Sequence, residues 1–200
     1  MWGVSVETSK WMQIVAANPS HSTWYIERFR QMAAAGNDLD GEARMIDAMV
    51  PRGSRILDAG SGPGRVGGRL HQLGHRVVGV DVDPALIAAA EQDHPGPEWV
   101  VADLAELDLG RTFDAIVCAG NVMGFLADST RVLVLEGFAR HLAADGRAVI
   151  GFGAGRGYDF EQFFADVAAA GMRVELPLST WDLRPFTAES TFLVAVCSLA

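Results

Sequence analysis

The sequence predicts an α/β fold with a doubly wound, mostly parallel seven-stranded sheet. One observation is alternation: apolar segments between residues 55 and 152 are separated by segments with helical spacing, which is typical of parallel strands joined by helices. Another is the ending, where strand-like segments at 172–178 and 191–198 follow each other without a helix. Consecutive strands joined by a loop usually pair antiparallel, so we expect the sheet to end in an antiparallel hairpin.

Composition and charge limit the functions to consider. The chain has 200 residues, of which 50% are hydrophobic, and this suits one domain with a substantial core. The longest uncharged apolar run, 115–127, is shorter than the roughly 20 residues of a membrane helix, and no secretory signal is recognisable. The formal net charge of -9 disfavours a nucleic-acid partner. We therefore expect a cytoplasmic protein, monomeric or homodimeric, that acts on a small molecule away from membranes.

The two cysteines, Cys118 and Cys197, each lie in an apolar run that is predicted to be a buried strand. Free cysteine is among the residues that are most often buried. A disulfide framework is not expected from such a pair, and both thiols are interpreted as structural.

The chain is divided into an N-terminal helical arm and lid, residues 1–53, and a main domain, residues 54–200. Residues 1–20 show no clear period and contain Asn18-Pro19, so they are interpreted as an arm to which no secondary structure is assigned. Because residues 1–53 are too short for a separate domain, we expect them to cover the ligand site of the main domain.

Two helices are predicted within this cover. Aromatic residues at helical spacing predict the first over residues 21–35, and Gly36 stops it. The second is predicted from Gly41 to Met49, with Asp40 as its N-cap.

The strands and helices of the main domain are assigned from apolar runs and from 3.6-residue spacing, respectively. Pro84 suits the first turn of a helix, and Gly74 ends one. Asp159 and Gln162 stand at capping-box spacing before the last helix. The predicted strands are 55–58, 76–81, 98–102, 113–118, 147–152, 172–178 and 191–198, and the predicted helices are 65–73, 84–93, 129–143 and 160–170.

A glycine-rich stretch after the first strand is the strongest functional signal. The strand ends in Asp58, and Gly60, Gly62 and Gly64 follow at alternate positions before a helix begins at Arg65. Glycine lets the backbone turn tightly and approach a ligand, and a helix N-terminus offers unpaired N–H donors. The stretch is therefore predicted to hold a nucleotide-like ligand.

These glycines allow two interpretations. Residues 62–67 formally match the dinucleotide pattern G-x-G-x-x-G, with Asp81 about 20 residues further on, so a nicotinamide-dependent oxidoreductase of Rossmann fold is one alternative. In that pattern the glycines take up the turn directly after the strand and admit a pyrophosphate. Here Asp58 precedes the glycines, and its negative charge favours a positively charged nucleoside instead.

Four short motifs follow one another at consistent strand ends. They are Asp58-Ala59-Gly60-Ser61-Gly62-Pro63-Gly64, Val80-Asp81-Val82-Asp83, Ala102-Asp103-Leu104 and Phe113-Asp114-Ala115-Ile116-Val117. In this order they resemble the class I S-adenosylmethionine-dependent methyltransferases. The resemblance covers residues 50–200 approximately, including the terminal hairpin. It implies a Rossmann-like fold, S-adenosyl-L-methionine as the cofactor and methyl transfer to a small-molecule acceptor.

The resemblance also implies which residues bind the cofactor. The loop 60–64 would lie against its methionine part, with Asp58 near the ammonium group. Asp81 would bind both ribose hydroxyls through charged hydrogen bonds, Val82 would flank adenine, and Asp103 would hold the adenine amino edge. The predicted cofactor-binding set is Tyr25, Arg28, Asp58, Gly60, Ser61, Gly62, Gly64, Asp81, Val82, Asp103, Leu104, Ala119, Gly120 and Asn121, and no metal site is predicted.

Some of these residues also have a purely structural interpretation. Asp81 would then be an ordinary turn residue, and Asp103 would belong to a solvated acidic loop. Asp83 is interpreted first as the cap of the helix that begins at Pro84.

Methyl transfer from a sulfonium needs no covalent protein nucleophile, and positioning is the main contribution of the protein. The catalytic candidates are Asn121, Tyr25 and His21. Asn121 follows the fourth strand but lacks the neighbouring prolines and aromatic residue of the subgroup that methylates DNA bases or protein glutamine. Tyr25 and Arg28 could reach the cofactor carboxylate and the acceptor from the cover, and His21 could act as a base.

Each of these side chains has a structural alternative as a turn residue or as part of a solvated helix face. Because no catalytic base is identifiable, a non-catalytic S-adenosylmethionine-binding module is the second alternative.

Overall fold

In the computed structural model, which describes residues 6–200, a single mixed sheet forms the centre of the fold. Its strands are β1 (Arg55–Ala59), β2 (Arg76–Asp81), β3 (Glu98–Val101), β4 (Phe113–Cys118), β5 (Leu142–Gly153), β6 (Met172–Leu178) and β7 (Phe192–Leu199). The order across the sheet is β3-β2-β1-β4-β5-β7-β6. Strands β1 to β5 pair in parallel, whereas β7 runs antiparallel to β5 and β6. The predicted fold class and terminal hairpin are therefore confirmed.

The helices occupy both faces of this sheet. They are α1 (Lys10–Ala17), α2 (His21–Ala34), α3 (Gly41–Met49), α4 (Arg65–Gln72), α5 (Pro84–Asp93), α6 (Val122–Phe125), α7 (Arg131–His141) and α8 (Phe160–Ala169). Short 3-10 turns at Leu104–Glu106 and Asp128–Thr130 complete the regular structure of the described residues. Helices α3 and α4 contribute to one core cluster, and α7 and α8 contribute to the other.

Neighbouring residues of β1 show why the strands are continuously apolar. Ile56 belongs to the core cluster that contains Ile46 and Leu70, whereas Leu57 belongs to the cluster that contains Phe138. Successive side chains of a strand point to opposite faces, and here both faces are buried. An alternating pattern of apolar and polar residues is therefore absent from β1.

No helix was predicted in the arm over residues 1–20, but residues 10–17 form α1. Ser9 begins this helix, and its hydroxyl accepts the Met12 N–H at 3.3 Å. Trp11 is the buried residue of α1, so the hydrophobic period is weak and tertiary contacts determine the helix. Residues 1–5 of the predicted arm lie outside the described residues.

Other element boundaries also differ from the prediction. Helix α7 is shorter than predicted because Leu142 already pairs with Phe113 in the sheet, and α6 was not predicted. Asp40 occupies the N-cap position of α3, as predicted, but its carboxylate lies 3.0 Å from Arg69 Nε and makes no capping hydrogen bond. The predicted capping box of α8 is also wrong.

At the start of α8, the side chain of Asp159 makes no capping hydrogen bond. Gln162, its predicted partner in the capping box, instead donates to Asp166 at 2.8 Å. The N-cap position was therefore identified correctly, but the reciprocal hydrogen bonds of the box do not form.

Both cysteines are free and buried, as predicted. Burial raises the pKa of the Cys118 thiol well above its ordinary value and that of Cys197 to about 12. Thiols held in the protonated form are poor nucleophiles. Across residues 6–200, no helix combines the length and apolar character that crossing a membrane requires.

Gly79 in β2 provides a test of packing between β2 and Trp99 of the neighbouring strand β3. A Cβ at position 79 would lie 2.1 Å from Cζ3 of Trp99, whose indole N–H is held by the His94 carbonyl at 3.0 Å. We expect Gly79→Ala to lower the free energy of unfolding by about 1–3 kcal/mol through overpacking, as measured by urea denaturation. Gly41→Ala is the control, because its nearest neighbour would be 3.8 Å away. Equal urea midpoints for the two variants would contradict the prediction.

Candidate functional site

A cavity of about 860 Å³, including its open mouth, lies at the carboxyl ends of β1, β2 and β4. Strand β1 has β2 on one side and β4 on the other, so the chain changes direction across the sheet at this point. Ligands of open α/β sheets bind at such switch points. Of the predicted cofactor-binding residues, those lining the cavity are Tyr25, Asp58, Gly60, Ser61, Gly62, Asp81, Val82, Asp103, Leu104, Ala119 and Gly120.

Four other predicted residues do not line this cavity: Gly64, Arg28, Asn121 and the catalytic candidate His21. Arg28 is exposed, and its Cζ lies 5.8 Å from the ring centroid of Trp24. Gly64, with a φ of 86°, instead begins α4. The roles of these residues in binding or catalysis remain predictions.

Backbone conformation and backbone hydrogen bonds define the shape of the glycine-rich loop that lines the cavity. Gly60 and Gly62 have φ values of 77° and 55°, in the left-handed region that side chains disfavour. The N–H groups of Gly60 and Ser61 both donate to the Val80 carbonyl, at 2.8 and 2.9 Å. A Cβ on Gly60 would lie 2.4 Å from Val122, so this position requires glycine for space as well as for conformation.

Asp81 ends β2 and organises the same loop. One carboxylate oxygen accepts the Gly62 N–H and the other accepts the Asp83 N–H, each at 2.9 Å. Burial raises the pKa of Asp81 to about 6, although the backbone hydrogen bonds oppose this shift. An ionised carboxylate offers about four lone-pair sites, so Asp81 retains acceptor capacity for two further donors.

Asp58 lies beside it at the end of β1. Its carboxylate accepts the Gly67 N–H of α4 at 2.8 Å, and the residue is 2% exposed. Burial raises the pKa of Asp58 to about 7; the Gly67 hydrogen bond and the positive charge of Arg65 lower it, and the negative charge of Asp81 raises it further. Because two carboxylates with raised pKa values share one cavity, a cation placed there would be stabilised and would favour their ionised forms.

Arg65, at the start of α4, lines the cavity in place of the predicted Arg28. Its guanidinium donates to the Leu39 carbonyl at 2.7 Å and forms a largely buried ion pair with Glu42. Its Cζ also lies 5.6 Å from the ring centroid of Phe29. The sequence identified the position of Arg65 after the third glycine but held no signal that paired it with Glu42.

Aromatic side chains form the wall opposite the glycine-rich loop. The Trp11 ring makes edge contacts with Tyr25 and Phe125, with centroids 5.1 and 5.5 Å apart. Tyr25 lies between the two loops of the sheet edge: its Cε1 is 3.7 Å from the position of a Cβ on Gly62, and its hydroxyl is 3.9 Å from one on Gly120. Trp11 and Phe125 were missed because α1 and α6 were not predicted.

Neither histidine nor cysteine is among the described residues that line the cavity. Among the described residues that line it, the titratable groups are Asp58, Asp81, Asp103, Arg65 and Tyr25. Burial raises the pKa of Tyr25 above its ordinary value, so its hydroxyl stays protonated. Within residues 6–200, no group of three His, Cys, Asp or Glu side chains is arranged to hold a metal ion.

Asn121 connects the loop after β4 to the neighbouring strand β5. Its Oδ1 accepts the Gly153 N–H at 2.8 Å, which ties the loop after β4 to the end of β5, and its φ is 65°. We expect Asn121→Gly to lower the free energy of unfolding by about 1 kcal/mol through the lost hydrogen bond. Asn121→Ala should cost about 1 kcal/mol more because alanine disfavours this φ. Urea denaturation of both variants tests this order, and equal losses would contradict the backbone contribution.

Known proteins similar to this chain include methyltransferases. A family model described as a methyltransferase domain matches residues 56–146. A TehB-like S-adenosylmethionine-dependent methyltransferase from Corynebacterium glutamicum, known from a crystal structure, is 54% identical. That match covers 92% of this chain and 100% of the other, with a TM-score of 0.89.

Two curated relatives are more distant. The dTDP-3-amino-3,6-dideoxy-alpha-D-glucopyranose N,N-dimethyltransferase of Streptomyces fradiae is 29% identical over 120 residues, which are 58% of this chain and 47% of that protein. The magnesium-protoporphyrin O-methyltransferase of Rhodobacter capsulatus is 31% identical over 146 residues, 68% of this chain and 61% of that protein. The chain thus spans about half the length of the Streptomyces relative.

Proposed function

Because the chain belongs to the family of S-adenosylmethionine-dependent methyltransferases, we propose that it transfers a methyl group from S-adenosyl-L-methionine to a small-molecule acceptor. The observation that carries this proposal is the pairing of buried Asp58 and Asp81 with a glycine loop at the switch point of the sheet. Such a pair suits a ligand with cationic groups and ribose hydroxyls better than it suits a pyrophosphate.

The residues present fit this cofactor. Asp81 would accept the two ribose hydroxyls with the lone pairs left free by the Gly62 and Asp83 N–H groups. Asp58 would stabilise the ammonium group, and Asp103, whose Oδ1 caps a 3-10 turn through the Ala105 N–H at 2.9 Å, would face adenine. When bound, the cofactor supplies an electrophilic methyl group on a sulfonium.

The contribution of the protein to methyl transfer is positioning and exclusion of water. Trp11, Tyr25 and Phe125 line the cavity, and the Trp11 ring contacts the other two rings. Holding the acceptor in line with the methyl group can supply roughly 7–11 kcal/mol of the barrier without a protein nucleophile. The acceptor would supply the electron pair for its new bond to the methyl group, and the electron pair of the broken C–S bond would stay on sulfur, which becomes a neutral thioether.

Domain organisation, oligomeric state and cellular location are also part of this proposal. We infer that residues up to 53 act as a lid on a single domain, that the protein is a monomer or homodimer, and that it resides in the cytoplasm. Two free, buried cysteines fit a reducing compartment.

Calorimetric titration with S-adenosyl-L-methionine and with its demethylated product tests cofactor binding. A screen with cofactor labelled in the methyl group then tests transfer to amino sugars, other amines, carboxylic acids and phenols. We expect both ligands to bind and one acceptor class to be labelled. Binding of NADH but of neither adenosyl ligand would overturn the proposal, and binding without transfer to any acceptor would favour a non-catalytic module.

A further inference from the structure

Asp83 is a buried carboxylate, 2% exposed, for which cofactor binding requires no direct contact. One oxygen accepts the Ala85 N–H at 2.9 Å and caps α5, as predicted. The other oxygen accepts the indole N–H of Trp11 at 2.9 Å and the hydroxyl hydrogen of Ser22. The backbone N–H of Asp83 donates to Asp81 at 2.9 Å. Asp83 therefore connects α1 and α2 with the carboxylate that faces the cavity.

Helix capping explains only half of this arrangement. An N-cap needs one acceptor oxygen, and the backbone N–H of Ala85 already uses it. The second oxygen is committed to the indole of Trp11 and the hydroxyl of Ser22, which come from distant parts of the chain. Hydrogen bonds to a buried charged acceptor are stronger than neutral ones, and losing them leaves a carboxylate oxygen without donors.

On the α5 side, the other attachments of the cover are apolar or more exposed. Arg30 of α2 donates to both carboxylate oxygens of Asp93, but these side chains are 40% and 28% exposed. Trp11 and Ile26 pack with Leu86 of α5 in a small apolar cluster that is separate from the two main clusters. Lys10 pairs with Asp128 at 2.7 Å, but the two side chains are 37% and 69% exposed, and such pairs contribute little. The directional, buried connection between cover and sheet edge on the α5 side is therefore the one made by Asp83.

We propose that Asp83 is a positioning residue that couples closure of the N-terminal cover to cofactor binding at Asp81. This rests on the proposed function, in which Asp81 holds the ribose. With Trp11 and Ser22 bonded to Asp83, the aromatic wall is closed and the Asp83 N–H is fixed against Asp81. The two equilibria are thermodynamically linked: if cofactor binding at Asp81 stabilises the closed cover, the closed cover must increase the affinity for the cofactor. The hydrogen bonds from the cover must break for the spent cofactor to leave.

The first experiment uses Ser22→Ala and Trp11→Phe. Ser22 does not line the cavity, so an effect of Ser22→Ala cannot come from direct contact with the cofactor. We expect the dissociation rate of S-adenosyl-L-methionine in stopped flow to rise in Ser22→Ala alone and to rise about tenfold in the double variant, with a much smaller change in the association rate. Lys10→Met is the control and should leave both rates unchanged.

Hydrogen exchange distinguishes coupling from simple stability. In the unaltered protein, the cofactor should slow amide exchange in α1 and α2, and this slowing should be lost in the double variant. If the variant exchanges faster without cofactor but keeps the same cofactor-induced slowing and the same dissociation rate, Asp83 is merely structural and the proposal is wrong.

Asp83→Asn provides an independent variant. Asparagine can keep the α5 cap through its carbonyl oxygen, while its NH₂ group faces the donors of Trp11 and Ser22. Rapid cofactor release similar to that of the double variant is expected, and release at the unaltered rate would overturn the proposal. A failure of the proposed function is recognised separately, because the unaltered protein would then bind neither adenosyl ligand in calorimetry.

Discussion

Replacing Asp81 by alanine is expected to weaken S-adenosyl-L-methionine binding by about 1.5–3 kcal/mol, roughly 10- to 150-fold. The physical reason is the loss of charged acceptors for the ribose hydroxyls at a buried position. The same substitution also leaves the Gly62 and Asp83 N–H groups without their partner, so the loop loses part of its order. Calorimetric titration of the variant measures the loss directly.

Two comparisons separate the ribose contacts from the loop. Adenosine contains the ribose but lacks the methionine part, so its affinity should fall by a similar factor if Asp81 binds the hydroxyls. Asp114→Asn is the control variant, because Asp114 pairs with Arg55 at the amino ends of β4 and β1, away from the cavity at their carboxyl ends. Unchanged cofactor affinity in Asp81→Ala would refute the ribose role, and a loss confined to the intact cofactor would point to the loop alone.

The predictable part of the site is the part that strand ends determine. Asp58 and Asp81 each terminate a short apolar run, and parallel strands bring their carboxyl ends to one edge of the sheet. Local sequence therefore sufficed to place both carboxylates in one cavity. The glycines after β1 were identified for the same reason, since their spacing marks a turn whatever packs above it.

The part that could not be predicted depends on contacts between distant segments. Helix α1 has one buried residue, Trp11, and its position over the cavity depends on Asp83, which lies 72 residues further along the chain. Arg65 lines the cavity because Glu42 of α3 holds its guanidinium. Local spacing favoured Arg28 as the site residue, and only the packed fold shows that Arg65 lines the cavity instead.

The pH dependence of cofactor binding should depend on Asp58. Burial raises the pKa of this carboxyl to about 7 in the folded protein, so below that pH the group is largely protonated. A cationic cofactor favours the ionised form, and its binding at pH 6 should release a proton. We expect the affinity for S-adenosyl-L-methionine to fall by up to about tenfold per pH unit below pH 7. Calorimetry in two buffers of different ionisation enthalpy measures the affinity and the number of protons released.

Asp58→Asn is the matched variant, because asparagine keeps the shape but cannot ionise. Its affinity should be lower than that of the unaltered protein at pH 8 and should change less with pH; only the contribution of Asp81, whose pKa is raised to about 6, should remain. An equally steep pH dependence in this variant would assign the titration to another group.

The free energy of unfolding of the cofactor-free protein should change with pH in the direction opposite to that of the cofactor affinity. The pKa of Asp58 in the unfolded chain is close to its ordinary value of 3.8, below the folded value of about 7. Between these values the folded state binds a proton that the unfolded state lacks, so the contribution of Asp58 to the free energy of unfolding decreases as pH rises from 4 to 7. Urea denaturation of the free protein and of Asp58→Asn measures this contribution as their difference. Low pH should therefore stabilise the empty site through the same carboxyl whose ionisation the cofactor requires, and a difference that is independent of pH would contradict this assignment.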